Sequence, residues 1–210
     1  LYTYDWRQNL DEQGNDFKKF INRLYREKKK GTKFKVVGHS FGGLVVRSYL
    51  EQNPSNHKLN SITTVGTPHL GTVLAYPAWE AGEIWIEDPT MRIALTQLVR
   101  HCQIILSLPP FKKKNQLSLV SEREVVQSLT PSLNNLLPIF DYLKKDGQAI
   151  DYQSMLYKNL WLMGHPLPAN LYQLQFSSLL GTGLDTLRYL DIISPSLEDQ
   201  KKGNWPDGKP

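Results

Sequence analysis

Apolar residues recur along this chain with two different periods, and each change of period marks out an element. Between residues 11 and 30, Phe17, Phe20, Ile21, Leu24 and Tyr25 are spaced as neighbours on one helical face, which predicts an amphipathic helix laid on a sheet. Gly31 ends it, with cationic side chains in the last turn where the helix dipole favours them. Phe34, Val36 and Val37 predict a strand over residues 33–37, and Leu44, Val45, Tyr49 and Leu50 return to helical spacing until Asn53-Pro54 stops it. Residues 59–65 predict a second strand, and the alternation of Leu and Phe with Tyr and Gln predicts a third over residues 171–176. So close a succession of helix, strand, helix and strand calls for crossover connections and a parallel sheet, with loops at the strands' C-terminal ends open to chemistry.

Between these strands the pattern changes. Residues 74–165 carry tryptophans, prolines and helix-like pieces without a clear strand, and residues 83–106 hold Ile84, Trp85, Ile86, Ile93, Leu95, Leu98 and Val99, too many apolar groups to stay solvated. A long excursion of this kind suits a cap or lid over an apolar site, with Trp79, Trp85 and Ile86 as its lipid-facing rim. The alternative is an ordinary helical subdomain whose stripe is only core. The expected domains are a core with residues 1–73, a helical cap or lid insertion with residues 74–165, and a return to the core with a terminal loop over residues 166–210. Residues 201–210 read as a surface hairpin or linker. Tyr2 to Arg7 read as the tail of a strand with nothing before it to pair with, and Leu1 stands where a methionine would begin a chain, so the expectation is an α/β fold truncated at both ends and lacking a closing strand.

Composition narrows the partners. With 210 residues and 40% hydrophobic content the chain can bury the core of one domain with an inserted subdomain. No run reaches the 18 or so apolar residues of a membrane-spanning helix, and the start lacks a signal-peptide pattern. The net charge of +5 favours anionic partners such as phospholipid surfaces or nucleic acid, but Lys28-Lys29-Lys30 and Lys112-Lys113-Lys114 lack interleaved aromatics and read as solvated clusters. No nucleic acid, metal or cofactor is expected. The lone Cys102, among Ile104, Ile105 and Leu106, reads as a buried small apolar residue.

Candidate chemistry lies between the first strand and the second helix. Gly38-His39-Ser40-Phe41-Gly42-Gly43 places a serine between glycines two before and two after it, the pattern of a nucleophile elbow. The bare pattern recurs by chance in about one chain in fifteen of this length, so the strand and helix around it carry the reading. Ser40 is the expected nucleophile, and the backbone N–H of Phe41 the first oxyanion donor; the second donor, from a loop after an earlier strand, has no counterpart here. A serine needs a histidine to take its proton and a carboxylate to orient that histidine. His39 and His57 stand too near the serine in sequence, His101 lies mid-helix, and His165 precedes the third strand, so all four read as packing or surface residues. His69, in the loop Gly66-Thr67-Pro68-His69-Leu70-Gly71-Thr72, is expected to line the pocket or hold the elbow without acting as base. Asp185, in the turn Gly181-Thr182-Gly183-Leu184-Asp185-Thr186 after the third strand, is the best visible acid, although such a turn also arises from turn chemistry alone.

These stretches have a family likeness. Tyr4-Asp5-Trp6-Arg7, the elbow, Gly66-Thr67-Pro68-His69-Leu70-Gly71, and Pro131-Ser132-Leu133 with Leu136-Leu137-Pro138 resemble, in order and spacing over residues 2–186, the lecithin:cholesterol acyltransferase-like α/β-hydrolases, a family of acyltransferases, lipases and phospholipases. The resemblance implies an α/β-hydrolase fold, a mostly parallel sheet with an inserted helical cap, and a Ser40 acyl-enzyme that transfers or hydrolyses an acyl group of a lipid ester. It implies a substrate met at a membrane surface or a lipoprotein-like aggregate, and it places acid and histidine in later turns, beyond Pro210, which weakens the case for Asp185. Two alternatives stay open: a soluble or glycolipid-directed carboxylesterase, and a catalytically silent lipid- or partner-binding module.

Overall fold

The computed structural model describes residues 1–111, 119–166 and 174–210. In chain order the elements are α1 (Leu10–Arg26), β1 (Phe34–His39), α2 (Phe41–Gln52), β2 (Leu59–Val65), α3 (Ala75–Ala81), α4 (Pro89–Leu106) and α5 (Glu122–Leu129). After a 3-10 turn at Pro131–Leu136 come β3 (Leu143–Lys145), β4 (Gln148–Ala149), α6 (Leu160–Gly164), β5 (Gln175–Leu179), β6 (Leu190–Asp191) and α7 (Leu197–Lys202). The chain forms two units, one of Leu1–Gly71 with Leu160–Thr186 and one of Thr72–Asn159 with Leu187–Pro210.

In the first unit β1, β2 and β5 form a sheet in that order, and both pairings are parallel, as the alternation of elements predicts. The register sets Val36 beside Ile62 and Ile62 beside Phe176. Asn9 starts α1 by accepting the Glu12 N–H on its side chain, and the buried face of Leu10, Gly14, Phe17 and Ile21 lies on α2. A Cβ at Gly14 would come within 3.0 Å of the Ser48 backbone, so only glycine lets the two helices approach this closely. The Ser48 hydroxyl uses the approach to donate to the Leu10 carbonyl at 2.7 Å. Of the strand expected at residues 171–176, the first three residues lie outside the described ones; β5 itself runs further, to Leu179.

The second unit buries Tyr76, Leu137, Tyr142, Leu143, Leu190 and Trp205 in one apolar cluster. A small sheet, β4-β3-β6, edges it, where the residue pattern shows no clear strand: two- and three-residue strands are too short to display a period of two. The segment expected as a surface hairpin begins with the end of α7 and then turns inward, leaving Trp205 only 1% exposed. One aromatic anchor suffices to bury a stretch that is otherwise polar.

The apolar stretch at residues 83–106 departs from expectation in the other direction. Asp88 caps the helix through the Met91 N–H and Pro89 occupies its first turn, so α4 starts only there, and none of its residues is buried. Cys102 is half-buried rather than buried. Lys112, Lys113 and Lys114 lie outside the described residues, and among the described residues no helix is long and apolar enough to cross a membrane.

Candidate active site

Ser40 stands between the last residue of β1 and the first of α2 at φ 51° and ψ −127°, a left-handed backbone that a serine adopts only under constraint. Two hydrogen bonds supply the constraint. Its N–H donates to the Val65 carbonyl of β2 at 2.8 Å, and its carbonyl accepts from the Gly43 N–H at 3.1 Å. Ser40 is exposed and its side chain makes no capping bond, so the hydroxyl faces outward with no helix terminus to satisfy. Phe41 opens α2, which leaves its backbone N–H outside the intrahelical ladder.

The glycines around the serine divide the steric demand differently from the sequence pattern. A Cβ at Gly38 would sit 2.8 Å from the Gly43 Cα and backbone nitrogen, and one at Gly43 would sit 2.8 Å from the Thr67 Cβ. A Cβ at Gly42 would meet only the Tyr4 hydroxyl, at an ordinary 3.5 Å. The turn thus depends on Gly38 and Gly43, and the contact with Thr67 brings the loop that follows β2 against the elbow, as expected.

Gly66 begins that loop at φ 55°, donating its N–H to the Leu179 carbonyl of β5 at 3.0 Å. His69 is half-buried within it. Its N–H donates to the Thr67 carbonyl at 2.9 Å, its Nε2 lies 3.5 Å from the Thr64 hydroxyl, and its ring meets the edge of Phe176 with centroids 6.3 Å apart. Burial first, and the nearby Arg47 charge second, hold its pKa below the usual histidine value. The imidazole is therefore kept neutral, and among the described residues its ring contacts run to Thr64 and Phe176 of the sheet and not to Ser40.

Arg47, only 4% exposed, was not singled out by pattern, yet it organises this side of the unit. Its guanidinium donates to Glu51 Oε1 at 3.1 Å and to the His69 carbonyl at 3.4 Å, and it lies 5.4 Å over the Trp161 ring. His165 stacks on Trp161 and places Nε2 3.8 Å from Glu51 Oε2, while the Trp161 indole donates to Asp11 at 3.0 Å. Burial lowers the Arg47 pKa and raises that of Glu51, and their mutual hydrogen bond opposes both shifts. The spacing of four on α2 was the available signal for Arg47 and Glu51; Trp161 and His165 gave none.

The remaining expected residues are dispersed. His39 is exposed at the end of β1, His57 accepts weakly from the Leu59 N–H, and His101 contacts the Gln97 carbonyl within α4. Asp185 is exposed on the loop after β5, and among the described residues no hydrogen bond or ion pair joins it to a histidine. In the second unit Trp79 is half-buried beside Tyr157, at 6.4 Å between centroids, whereas Trp85 and Ile86 line an open groove of about 1140 Å³ in which Leu74, Ile84 and Ile93 alternate with charged groups such as Arg92, Arg100 and Glu122. No group of three or more His, Cys, Asp or Glu side chains is placed to hold a metal among the described residues.

The model of the lecithin:cholesterol acyltransferase family matches residues 2–158, a span that holds the elbow and the loop after β2. The lipase BlEst2 of Bacillus licheniformis in its mature form is 17% identical with a TM-score of 0.41, over 85% of this chain and 50% of that one. Its propeptide form gives 17% and 0.42 over 85% and 27%. The Tle4–Tli4 complex gives 13% and 0.42 over 80% and 34%. The chain thus spans half or less of the length of these solved structures. No curated protein sequence matches it.

Proposed function

This chain belongs to the lecithin:cholesterol acyltransferase family, and from that membership we propose that it serves acyl-ester chemistry on lipids, as an O-acyltransferase, lipase or phospholipase working through a Ser40 acyl-enzyme. The observation that carries the proposal is the exposed Ser40 at positive φ on a strand-to-helix turn inside the matched span. In this reading a general base takes the hydroxyl proton as Ser40 Oγ attacks the ester carbonyl, and the carbonyl oxygen gains the negative charge. The Phe41 N–H donates to that oxygen; collapse expels the alcohol, which leaves with a proton, and the acyl group passes to water or to another alcohol. Thr67 and the neutral His69 support the elbow from the adjoining loop.

A serine-directed fluorophosphonate tests the assignment. Labelling of Ser40, located by peptide mass spectrometry and lost in Ser40→Ala together with ester turnover, is the expected result; turnover unchanged in Ser40→Ala sinks it. The dispersed histidines favour one other reading, a silent lipid- or partner-binding module. Absence of label from a folded protein that still binds phospholipid vesicles selects that reading instead.

A further inference from the structure

Glu80 is 0% exposed on α3, and neither oxygen of its carboxyl closes a hydrogen bond. Such a group is costly as an anion and tolerable as an acid. The charged and titratable groups around it are Tyr76 on its own helix, Arg123 on α5, Tyr142 before β3, and Asp207 on the chain's last segment. Arg123 and, weakly and without closing a hydrogen bond, the Asp207 backbone N–H favour the anion; desolvation, the largest influence, and the Asp207 carboxylate oppose it, and the balance pushes the Glu80 pKa up to about 8. Burial also moves Tyr76 and Tyr142 far above the ordinary phenol range, so neither loses its proton near neutrality.

The segment that covers Glu80 is held at a few points. The Trp205 N–H donates to the Glu80 backbone carbonyl at 3.1 Å, the Tyr76 hydroxyl donates to the Gly208 carbonyl at 2.6 Å, and Arg123 donates to the Gly203 carbonyl at 2.6 Å. The Asp207 carboxylate accepts from the N–H groups of Leu156 and Tyr157 at 2.7 and 3.2 Å. Trp205 packs its indole 5.8 Å from Tyr76 while its backbone sits at φ 57°, a strained conformation for tryptophan that persists only while the packing holds.

We propose that Glu80 is a pH-operated latch, which in its protonated form keeps residues 203–209 closed over α3 and on losing its proton to solvent releases them. An ionised Glu80 faces the Asp207 carboxylate at a position with no solvent-exposed surface, and opening the segment both hydrates the carboxylate and relaxes the Trp205 backbone. The latch is independent of what Ser40 does.

Hydrogen–deuterium exchange of the whole protein, followed by peptides covering residues 203–209 and corrected for the intrinsic rate, tests it between pH 6 and 10. Protection of these amides is expected to fall at least tenfold between pH 6 and pH 8 and to level off above it, the bend near pH 8 marking the titration midpoint of Glu80 in the closed form, while peptides from β1 and β2 keep theirs. Glu80→Gln is expected to abolish the step. Asp207→Asn, which keeps an acceptor for the two N–H groups but removes the repelling charge, is expected to move the midpoint to lower pH. Flat protection in the wild type, or the same step in Glu80→Gln, overturns the proposal. Should Glu80→Gln not fold, an unmoved midpoint in Asp207→Asn overturns it equally.

Discussion

Glu51 on α2 and Glu80 on α3 lie in different units, and in both the loss of solvation raises the carboxyl pKa before any neighbour acts. Glu51 meets the Arg47 guanidinium at 3.1 Å and, more distantly, His165, so its charge has a partner of matching geometry. Glu80 has the attraction of Arg123 without a closed hydrogen bond, and it has Asp207 against it. Burial therefore leads to two outcomes. Where a guanidinium reaches the carboxylate the ion pair is kept, and where none reaches it the proton is kept.

The strongest test of this contrast is the pH dependence of stability. Glu80 moves from an ordinary value of 4.5 to about 8 on folding, so between those pH values the folded chain binds a proton that the unfolded chain has lost. The contribution of Glu80 to stability is therefore full below pH 4.5 and falls until about pH 8, by on the order of 4 kcal/mol. Urea unfolding at both ends of the window measures it, and Glu80→Gln should flatten the dependence. An unchanged slope in the variant would assign the effect to other groups.

Arg47→Met converts the first carboxyl into the second kind. Leaving Glu51 buried without its partner should cost about 3 kcal/mol at pH 7. Part of that loss should return as the pH is lowered, because a buried Glu51 without its cation takes up a proton more readily than in the unfolded chain, and adding Glu51→Gln should recover most of the rest. A double variant no more stable than the single one argues that Arg47 matters through Trp161 and the His69 loop instead. The smallest effect belongs to His165→Ala: at 3.8 Å from Glu51 and partly exposed, its ion pair should contribute less than about 0.5 kcal/mol to unfolding at pH 7. A loss above 1 kcal/mol or so would move the weight from charge to its stacking on Trp161.

The elbow and the first unit's elements were legible because their signals are local. The strand at residues 59–65 coincides with β2, and the helix after Ser40 ends at Asn53, its C-cap. The third strand, the lone Trp205 and α4 were harder. Trp205 sits in a polar stretch with no period to reveal its burial. In α4 many apolar residues suggest a buried face, yet Leu98 and Ile105 remain more than half exposed.

By itself the sequence determined the periodic elements, the Gly-x-Ser-x-Gly turn and the family likeness that residues 2–158 bear out. Each depends on residues a few positions apart, whose steric and hydrogen-bonding preferences act along the chain. Only the tertiary structure decided that Gly43 rather than Gly42 bears the close contact, and that Trp161 reaches Asp11 across 150 residues. It alone decided that Glu51 gains a cation while Glu80 does not. Solvation and pairing of a charge depend on what packs around it, and packing brings together residues that no local pattern connects.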